Sequence, residues 1–439
     1  MTPLQIGAYS LVAMVILIVC GLDIAVTLLL LSSVGVWLIR GSLDVTLGLF
    51  AQAASDTIAS QEFAVVPMFI LMGLLVSAAD LGKDLFAVAN RLFGRLRGGL
   101  GVATVFANAV FAAITGISIA SASVFTKVAV PEMLAYGYSK RFATGVVAGS
   151  SVLGMLIPPS LLMILYAFLA QQSVGAMFLA GIGPGLLLTL VYSLGIVAMA
   201  RFTPQRVMRS DPSEPPPIAS GPVALLRTAP IGVLIAVVLG GIYGGVFTAT
   251  DAGAVGAVGA LIIALTRRRL GIASGWEIVK ETGSITVAVL FLIIAANLYS
   301  RMLALSGLPQ TLIEAITTLG LGATGFILLH ITVVVLLGCI IDSASIMLLV
   351  LPLVLPVVAE LRIDPVWFGV VTVVAVEVGL LTPPFGLSVL TIKSALGDQG
   401  ISVADIFIGS LPFVLMMLLA LALLVLFPGI ALVFTGRAA

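Results

Sequence analysis

Charge is the scarcest commodity in this 439-residue chain: only 9% of its residues are Asp, Glu, Lys or Arg, where a soluble domain carries about 25%. So sparse a charge set excludes a water-facing globular surface. Histidine is almost absent, with His330 alone, and cysteine is limited to Cys20 and Cys339; all three stand in apolar runs. These scarcities exclude a disulfide framework and a His/Cys zinc site. They also leave no His pair for metallohydrolysis and no Ser–His couple, and no paired-Asp arrangement is present, so no enzyme activity is expected. His330 itself is expected to be a satisfied core residue rather than a proton relay. A net charge of +1 provides no electrostatic footprint for nucleic acid. The N-terminus lacks a basic region and a small-residue cleavage site, so Leu4–Cys20 reads as a first membrane span, not a removable signal.

What is present is apolar: 61% of residues are hydrophobic, in stretches of about 20 that each suffice to cross a bilayer. The chain therefore reads as an all-α polytopic membrane protein embedded in lipid. Spans are expected at about 4–20, 23–39, 63–80, 140–169, 176–200, 229–246, 250–266, 283–303, 366–393 and 408–434. Two further apolar regions, 102–136 and 324–360, are interrupted by Thr115-Gly116-Ile117-Ser118 and by Asp342-Ser343-Ala344-Ser345. Each is either two spans or a re-entrant hairpin, whose turn is tolerated at membrane depth only inside protein or beside a cavity.

With hairpins at both places, 16 of the 20 Lys and Arg fall on one side, and Arg40, Arg301, Arg362 and Arg437 on the other. The positive-inside rule makes the first side cytoplasmic and places both termini outside. Between Lys83 and Arg97 the pattern is amphipathic and reads as an interfacial helix. Asp251 reads as a helix cap, with Gly253, Gly256 and Gly259 behind it as a close-packing stripe. The Pro-rich stretch around Pro212–Pro217 divides the chain into residues 1–203, a cytoplasmic linker at 204–226, and residues 227–439.

The two halves repeat. Adding 225 takes Gly82 to Gly307, Ser118 to Ser343, Pro131 to Pro356, Gly154 to Gly379 and Pro158-Pro159 to Pro383-Pro384. The number of crossings between equivalent spans is odd, so the halves are expected to be inverted. Inverted repeats with interrupted helices at corresponding positions mark secondary transporters with a midplane site.

Consecutive prolines remove N–H groups and free carbonyls from helical bonding. At Gly154–Ser160 and at Gly379–Gly386 this suits a hard cation, and the helix N-terminus that follows suits a carboxylate. A plain kink is the alternative at either break taken alone. The interrupting turns add Thr115, Gly116, Ser118, Ser121 and Ser123 in the first half, and Asp342, Ser343 and Ser345 in the second. Ser121 and Ser123 suit helix packing as well as binding. Asp342 and Glu377 are acids within apolar stretches and hence functional candidates. Glu377 either ligates a cation, anchors the break or pairs structurally.

Through Pro67-Met68-Phe69-Ile70-Leu71-Met72-Gly73, Gly154 to Ser160, Gly240 to Thr248, Asp364 to Gly369, and above all Glu377 to Leu387, nearly the whole chain resembles the large membrane subunit of tripartite ATP-independent periplasmic (TRAP) transporters. The resemblance implies an elevator-type carrier in a bacterial inner membrane, with both hairpins and both broken helices in a moving domain. It implies Na⁺ as coupling ion without an organic cofactor, an organic-acid substrate, a periplasmic substrate-binding protein, and a separate small membrane subunit of about four helices.

It further implies one cation site joining Thr115, Gly116 and Ser118 to Gly154, Ile157 and Pro158. A second would join Asp342 and Ser343, with Ser345, to Gly379, Thr382 and Pro383, supported by Glu377. Thr115, Ser118, Ser160, Ser345 and Ser388 are the implied substrate contacts. Three positions depart from the family pattern: Ile117 replaces a second Ser, Ser388 replaces Asn, and Thr248-Ala249-Thr250-Asp251 replaces a Thr-Pro-Thr-Glu-like stretch. A stand-alone ion-coupled carboxylate carrier, working without a binding protein, is the competing expectation.

Overall fold

The computed structural model describes residues 1–208, 222–397 and 400–436; the side chains of residues 61, 62 and 222–227 lie outside the description. Most of the expected linker, with Arg209, Asp211 and the proline cluster, also lies outside it, as does Arg437. Among the described residues there is no strand, only a single bridge between Tyr138 and Met208.

The first half contains α1 (Pro3–Val19), α2 (Ile24–Arg40), α3 (Leu43–Ala59), α4 (Val65–Ala78), α5 (Leu81–Phe93), α6 (Gly99–Thr115), α7 (Ser118–Ala135), α8 (Lys140–Ser151), α9 (Leu153–Leu156), α10 (Leu161–Leu169), α11 (Val174–Phe202) and α12 (Pro204–Val207). The second contains α13 (Pro222–Tyr243), α14 (Ala249–Thr266), α15 (Ile272–Ser306), α16 (Leu308–Thr318), α17 (Ala323–Gly338), α18 (Ser343–Glu360), α19 (Pro365–Leu380), α20 (Leu387–Leu396), α21 (Val403–Leu426) and α22 (Gly429–Leu432).

Five of these, α11, α14, α15, α18 and α21, are individually long and apolar enough to cross a membrane. The α8–α9 helix and α10 form a further pair bent by 41°, and α4 and α5 a pair bent by 69°. Leucines such as Leu186, Leu190 and Leu194 on α11, and Leu411, Leu415 and Leu419 on α21, are exposed, as expected where the solvent is hydrocarbon.

Several expectations are refined. Helix α3 was not foreseen: Asp44, Gln52 and Asp56 interrupt its apolar character, so it falls short of a hydropathy signal. Helix α15 starts at Ile272, well before the expected 283. Its 35 residues extend about 52 Å at 1.5 Å per residue, more than a bilayer core requires. The last long helix is Val403–Leu426, not 408–434; it stops at Phe427 ahead of Pro428. Asp251 is not the cap of α14. That role belongs to Thr248, which accepts from the Asp251 N–H, while Asp251 reaches back to the Thr248 N–H as the third helical residue of a capping box. Helix α5 forms as expected at the amphipathic stretch, and Leu81, Leu85, Phe86 and Ala89 are buried as it packs on α6.

Helices α1–α4 and α13–α15 pack among themselves, and so do α6–α11 with α17–α21; α5 and α16 lie against both sets. The polar ties follow the same division. Ser10–Tyr299, Asn297–Thr57 and Arg301–Asp56 join members of the first set. Arg141–Asp405, Tyr166 to the Pro365 carbonyl, and Trp367 to the Leu424 carbonyl join members of the second.

Glycines set the closest approaches. Where α8 crosses α21, the Gly409 carbonyl occupies the place a Cβ on Gly145 would take, and the Arg141 carbonyl does the same for Gly409. Where α14 crosses α4, Gly253 and Gly256 face Met68 and Met72, and Gly259 faces Leu234 on α13, so the foreseen glycine stripe is a packing surface. These contacts differ in what can yield. A Cβ on Gly256 meets the far end of a flexible thioether, whereas one on Gly145 meets backbone. Gly145→Ala is therefore expected to cost about 1–3 kcal/mol or more and Gly256→Ala clearly less, read as thermal stability of the detergent-solubilised protein.

Candidate functional site

The equivalent landmarks of the two halves fall at equivalent places in the helices. Ser118 and Ser343 are the first residues of α7 and α18, and Pro131 and Pro356 lie inside those same helices. Lys140 and Pro365 open α8 and α19. Both Pro158-Pro159 and Pro383-Pro384 are cis peptides. Gly82 and Gly307 match less well: Gly82 is inside α5 against Val124, while Gly307 is a positive-φ junction between α15 and α16.

In the first half, α6 and α7 pack on each other and are joined by Gly116 and Ile117 alone. Gly116 turns the chain at φ 64°, a region glycine enters without steric cost. Its carbonyl accepts from the Leu161 N–H at 3.2 Å, and a Cβ on it would lie 2.5 Å from the Pro159 carbonyl. Gly154 presses on the same turn, 3.0 Å from Ile117 and the Ser118 nitrogen by the same measure. The turn thus sits directly on the break. Because residue 158 is proline, no N–H stands four residues beyond Gly154 to engage its carbonyl. The Met155 carbonyl meets the same gap at Pro159 and is served by the Ser160 hydroxyl at 2.5 Å. Ser160 also accepts from Met163 N at 3.2 Å as the cap of α10, and the Thr115 hydroxyl donates to the Phe111 carbonyl at 3.0 Å. Both hydroxyls are therefore engaged locally. Gly73 on α4 brings the other helix set to this point, its Cβ direction 2.9 Å from the Thr115 carbonyl.

The second half repeats the arrangement with different chemistry. Cys339–Asp342 join α17 to α18. Gly338 and Gly379 meet backbone to backbone, a Cβ on Gly379 falling 2.5 Å from the Gly338 Cα, and the Phe385 N–H donates to the Cys339 carbonyl at 3.2 Å. Asp342 caps α18: one oxygen accepts from Ser345 N at 3.1 Å and the other from the Ser345 hydroxyl. The equivalent first-half position is Ile117, whose helix has no side-chain cap. Thr382 donates to the Val378 carbonyl at 2.7 Å, and proline at 384 leaves the Leu380 carbonyl without its helical partner. Ser388 is buried in the first turn of α20. Glu377, in the last turn of α19, is fully buried, and neither carboxylate oxygen has a hydrogen-bond partner among the described residues.

The structure therefore joins Thr115, Gly116 and Ser118 to Gly154 and Pro159-Ser160, and joins the Gly338–Ser343 turn to the Glu377–Phe385 segment. Sequence reasoning missed Gly338, Cys339, Gly73 and Leu161. It also missed two polar clamps, each joining the first helix of a turn pair to the broken helix of its own half across 42 positions. One is Asn108 donating to Ser150 at 2.6 Å; the other is His330 Nε2 with the Thr372 hydroxyl at 2.9 Å. Thr372 donates to the Phe368 carbonyl at 2.8 Å, so its oxygen accepts from His330, which places the imidazole proton on Nε2. With its ring beside Phe368, His330 is buried in the core as expected, but only Nε2 is satisfied, since Nδ1 has no hydrogen-bond partner among the described residues.

Among the described residues the fold is all-helical, with proline-broken helices packed on helical turns. Two solved transporters share the fold: YdaH of Alcanivorax borkumensis, with TM-score 0.61, 15% identity and 88% and 89% of the two chains covered, and the efflux pump MtrF of Neisseria gonorrhoeae, with TM-score 0.61, 13% identity and 97% and 95% covered. Residues 11–430 match the tripartite ATP-independent periplasmic transporter family, DctM component, and the chain belongs to that family.

Among its relatives is the C4-dicarboxylate TRAP transporter large permease protein DctM of Pseudomonas aeruginosa, 34% identical over 369 residues and covering 84% of each chain. The ectoine TRAP transporter large permease TeaC of Halomonas elongata is 31% identical over 423 residues, covering 95% of this chain and 96% of its own. The sialic acid TRAP transporter large permease SiaM of Vibrio cholerae is 31% identical over 365 residues, covering 83% of each.

Proposed function

We propose that this permease imports a small organic acid into a bacterial cell by Na⁺ symport, receiving the substrate from a periplasmic binding protein and moving it by an elevator mechanism. The observation that carries the reading is the paired geometry: in each half a helical turn is seated on a proline break whose carbonyls lack helical partners. Two such points suit two cations, and the helix N-termini and hydroxyls beside them suit a carboxylate. The first cation takes Thr115, Gly116, Ser118, Gly154, Ile157 and Pro158; the second takes Asp342, Ser343, Gly379, Thr382 and Pro383. Substrate contacts fall to Thr115, Ser118, Ser160, Ser345 and Ser388. A relative named for a C4-dicarboxylate supports an organic acid as cargo.

In this reading the turn pairs α6–α7 and α17–α18 are re-entrant hairpins, and the set containing them slides on the set formed by α1–α4 and α13–α15, to which a small membrane subunit attaches. The separate polar ties within each set support that division. Both termini lie in the periplasm. The pairs Arg267–Asp84 and Arg269–Asp80 then belong to the cytoplasmic end, and Arg301–Asp56 to the periplasmic end.

Uptake into proteoliposomes holding this permease and its small subunit tests the proposal. Transport is expected only with both an inward Na⁺ gradient and the binding protein. Uptake indifferent to Na⁺ refutes the coupling, and uptake without the binding protein points to a stand-alone carrier.

A further inference from the structure

We propose that the elbow between α5 and α6, together with the end of α11, binds the headgroup phosphate of an anionic phospholipid in the cytoplasmic leaflet. Of the reading above, this uses only the orientation. The elbow is Gly94-Arg95-Leu96-Arg97-Gly98. Its backbone is fixed: the Leu96 N–H donates to the Phe93 carbonyl at 2.9 Å, the Gly99 N–H donates to the Leu96 carbonyl at 2.8 Å, and Phe93 stacks on Phe106 at 4.4 Å. Gly98, at φ 75°, lets α11 come close, since a Cβ on it would lie 3.0 Å from the Ile196 side chain and 3.2 Å from that of Ala200. The two residues after Ala200 are Arg201 and Phe202, and both are exposed. Two separate elements thus bring Arg95, Arg97 and Arg201 to one corner of the molecule.

Charge and apolar surface at this corner both lack protein partners. The acids at the start of α5 are engaged at its other end, Asp84 with Arg267 and Asp80 with Arg269. Arg95, Arg97 and Arg201 make no ion pair among the described residues. The apolar face of α5 also outlasts its cover. Leu81, Leu85 and Ala89 are buried, but Leu92 is 65% exposed and Leu96, in the elbow, 50%; Phe202 beside them is 78% exposed. The 69° bend between α4 and α5 turns α5 towards the membrane plane, so its end meets headgroups rather than bulk water. Bare leucine and phenylalanine beside guanidinium groups suit the boundary where acyl chains meet phosphates. Arginine forks grip phosphate oxygens two at a time.

The test is thermal stabilisation of the purified permease in a neutral detergent. It is titrated with phosphatidylglycerol, with phosphatidylcholine of the same acyl chains, or with inorganic phosphate. Phosphatidylglycerol is expected to stabilise the wild type saturably, and the other two only weakly. Equal stabilisation by phosphatidylcholine overturns the proposal; equal stabilisation by inorganic phosphate assigns the corner to a free anion and overturns the lipid. Each arginine beside a headgroup contributes about fivefold in affinity. Arg95→Gln with Arg97→Gln is therefore expected to raise the phosphatidylglycerol midpoint at least about tenfold, and Arg201→Gln to raise it further. An unchanged midpoint in the double variant overturns the proposal. Should that variant not fold, Arg97→Gln alone decides by the same measure. Arg268→Gln removes an exposed arginine from the α14–α15 junction instead and is expected to leave the midpoint in place. A shift there equal to that of Arg97→Gln traces the effect to net charge and overturns the site. Orientation is read separately, by labelling Arg97→Cys in a Cys20→Ser, Cys339→Ser background with a membrane-impermeant maleimide. Labelling of intact spheroplasts overturns the orientation, and with it the leaflet, whatever the detergent titration gives.

Discussion

Gly116→Ala is expected to abolish uptake and to lower stability more than any other single methyl addition at the two turns. Two costs coincide there. The residue is held at φ 64°, where an L side chain pays about 1–2 kcal/mol. The new Cβ would also lie 2.5 Å from the Pro159 carbonyl, a backbone atom on the break itself, which adds about 1–3 kcal/mol of overpacking. Together these approach the whole stability of a typical domain at its lower end, about 5 kcal/mol. Relief comes only by lifting the turn off the break, which breaks the Leu161 N–H to Gly116 carbonyl bond and opens the proposed first cation site. Thermal unfolding in detergent and Na⁺-driven uptake read the two consequences. A variant that folds and transports like wild type shows that the turn need not rest on the break.

Asp342→Ala is expected to remove Na⁺-dependent transport while leaving a folded protein. The structure makes this prediction sharper than the sequence allowed, because the Asp342 carboxylate caps α18 through Ser345. Losing an N-cap costs about 1 kcal/mol, too little to unfold a chain packed as extensively as this one. Helix capping and ion binding are separated by Asp342→Asn, which preserves the cap and removes the charge. If the charge serves the ion, the Asn variant keeps wild-type stability yet needs more Na⁺ for half-maximal uptake. If Asp342 does no more than shape the turn, the Asn variant transports at the wild-type Na⁺ midpoint.

Fold class was legible because lipid imposes it: with 9% charged residues, helices that satisfy their own backbone are the economical solution in a bilayer. The two breaks were equally legible. Proline and glycine act through the backbone of their own segment, so Pro158-Pro159, Pro383-Pro384 and Gly116 disclose local geometry whatever surrounds them. Less visible were elements whose character depends on company. Helix α3 carries Asp56, which pairs with Arg301 on α15, a partner 245 positions away. Capping was read three residues too late, at Asp251, since Thr248 offers the better-placed oxygen.

The residues that complete each break belong to that second kind. Gly338 matters because Gly379 meets it, and neither glycine announces the other across 41 intervening steps of chain. His330 and Thr372 find each other in the same way. The sequence by itself determined a membrane-spanning helical chain, a repeat offset of 225 and the two proline breaks, because hydropathy and backbone chemistry are carried by each segment alone. Only the tertiary structure decided that each turn rests on the break of its own half, that Asp342 is already engaged, and that Glu377 is buried with both oxygens unpartnered among the described residues. Those facts depend on which distant backbones approach closely enough to exclude water, and that is settled by packing.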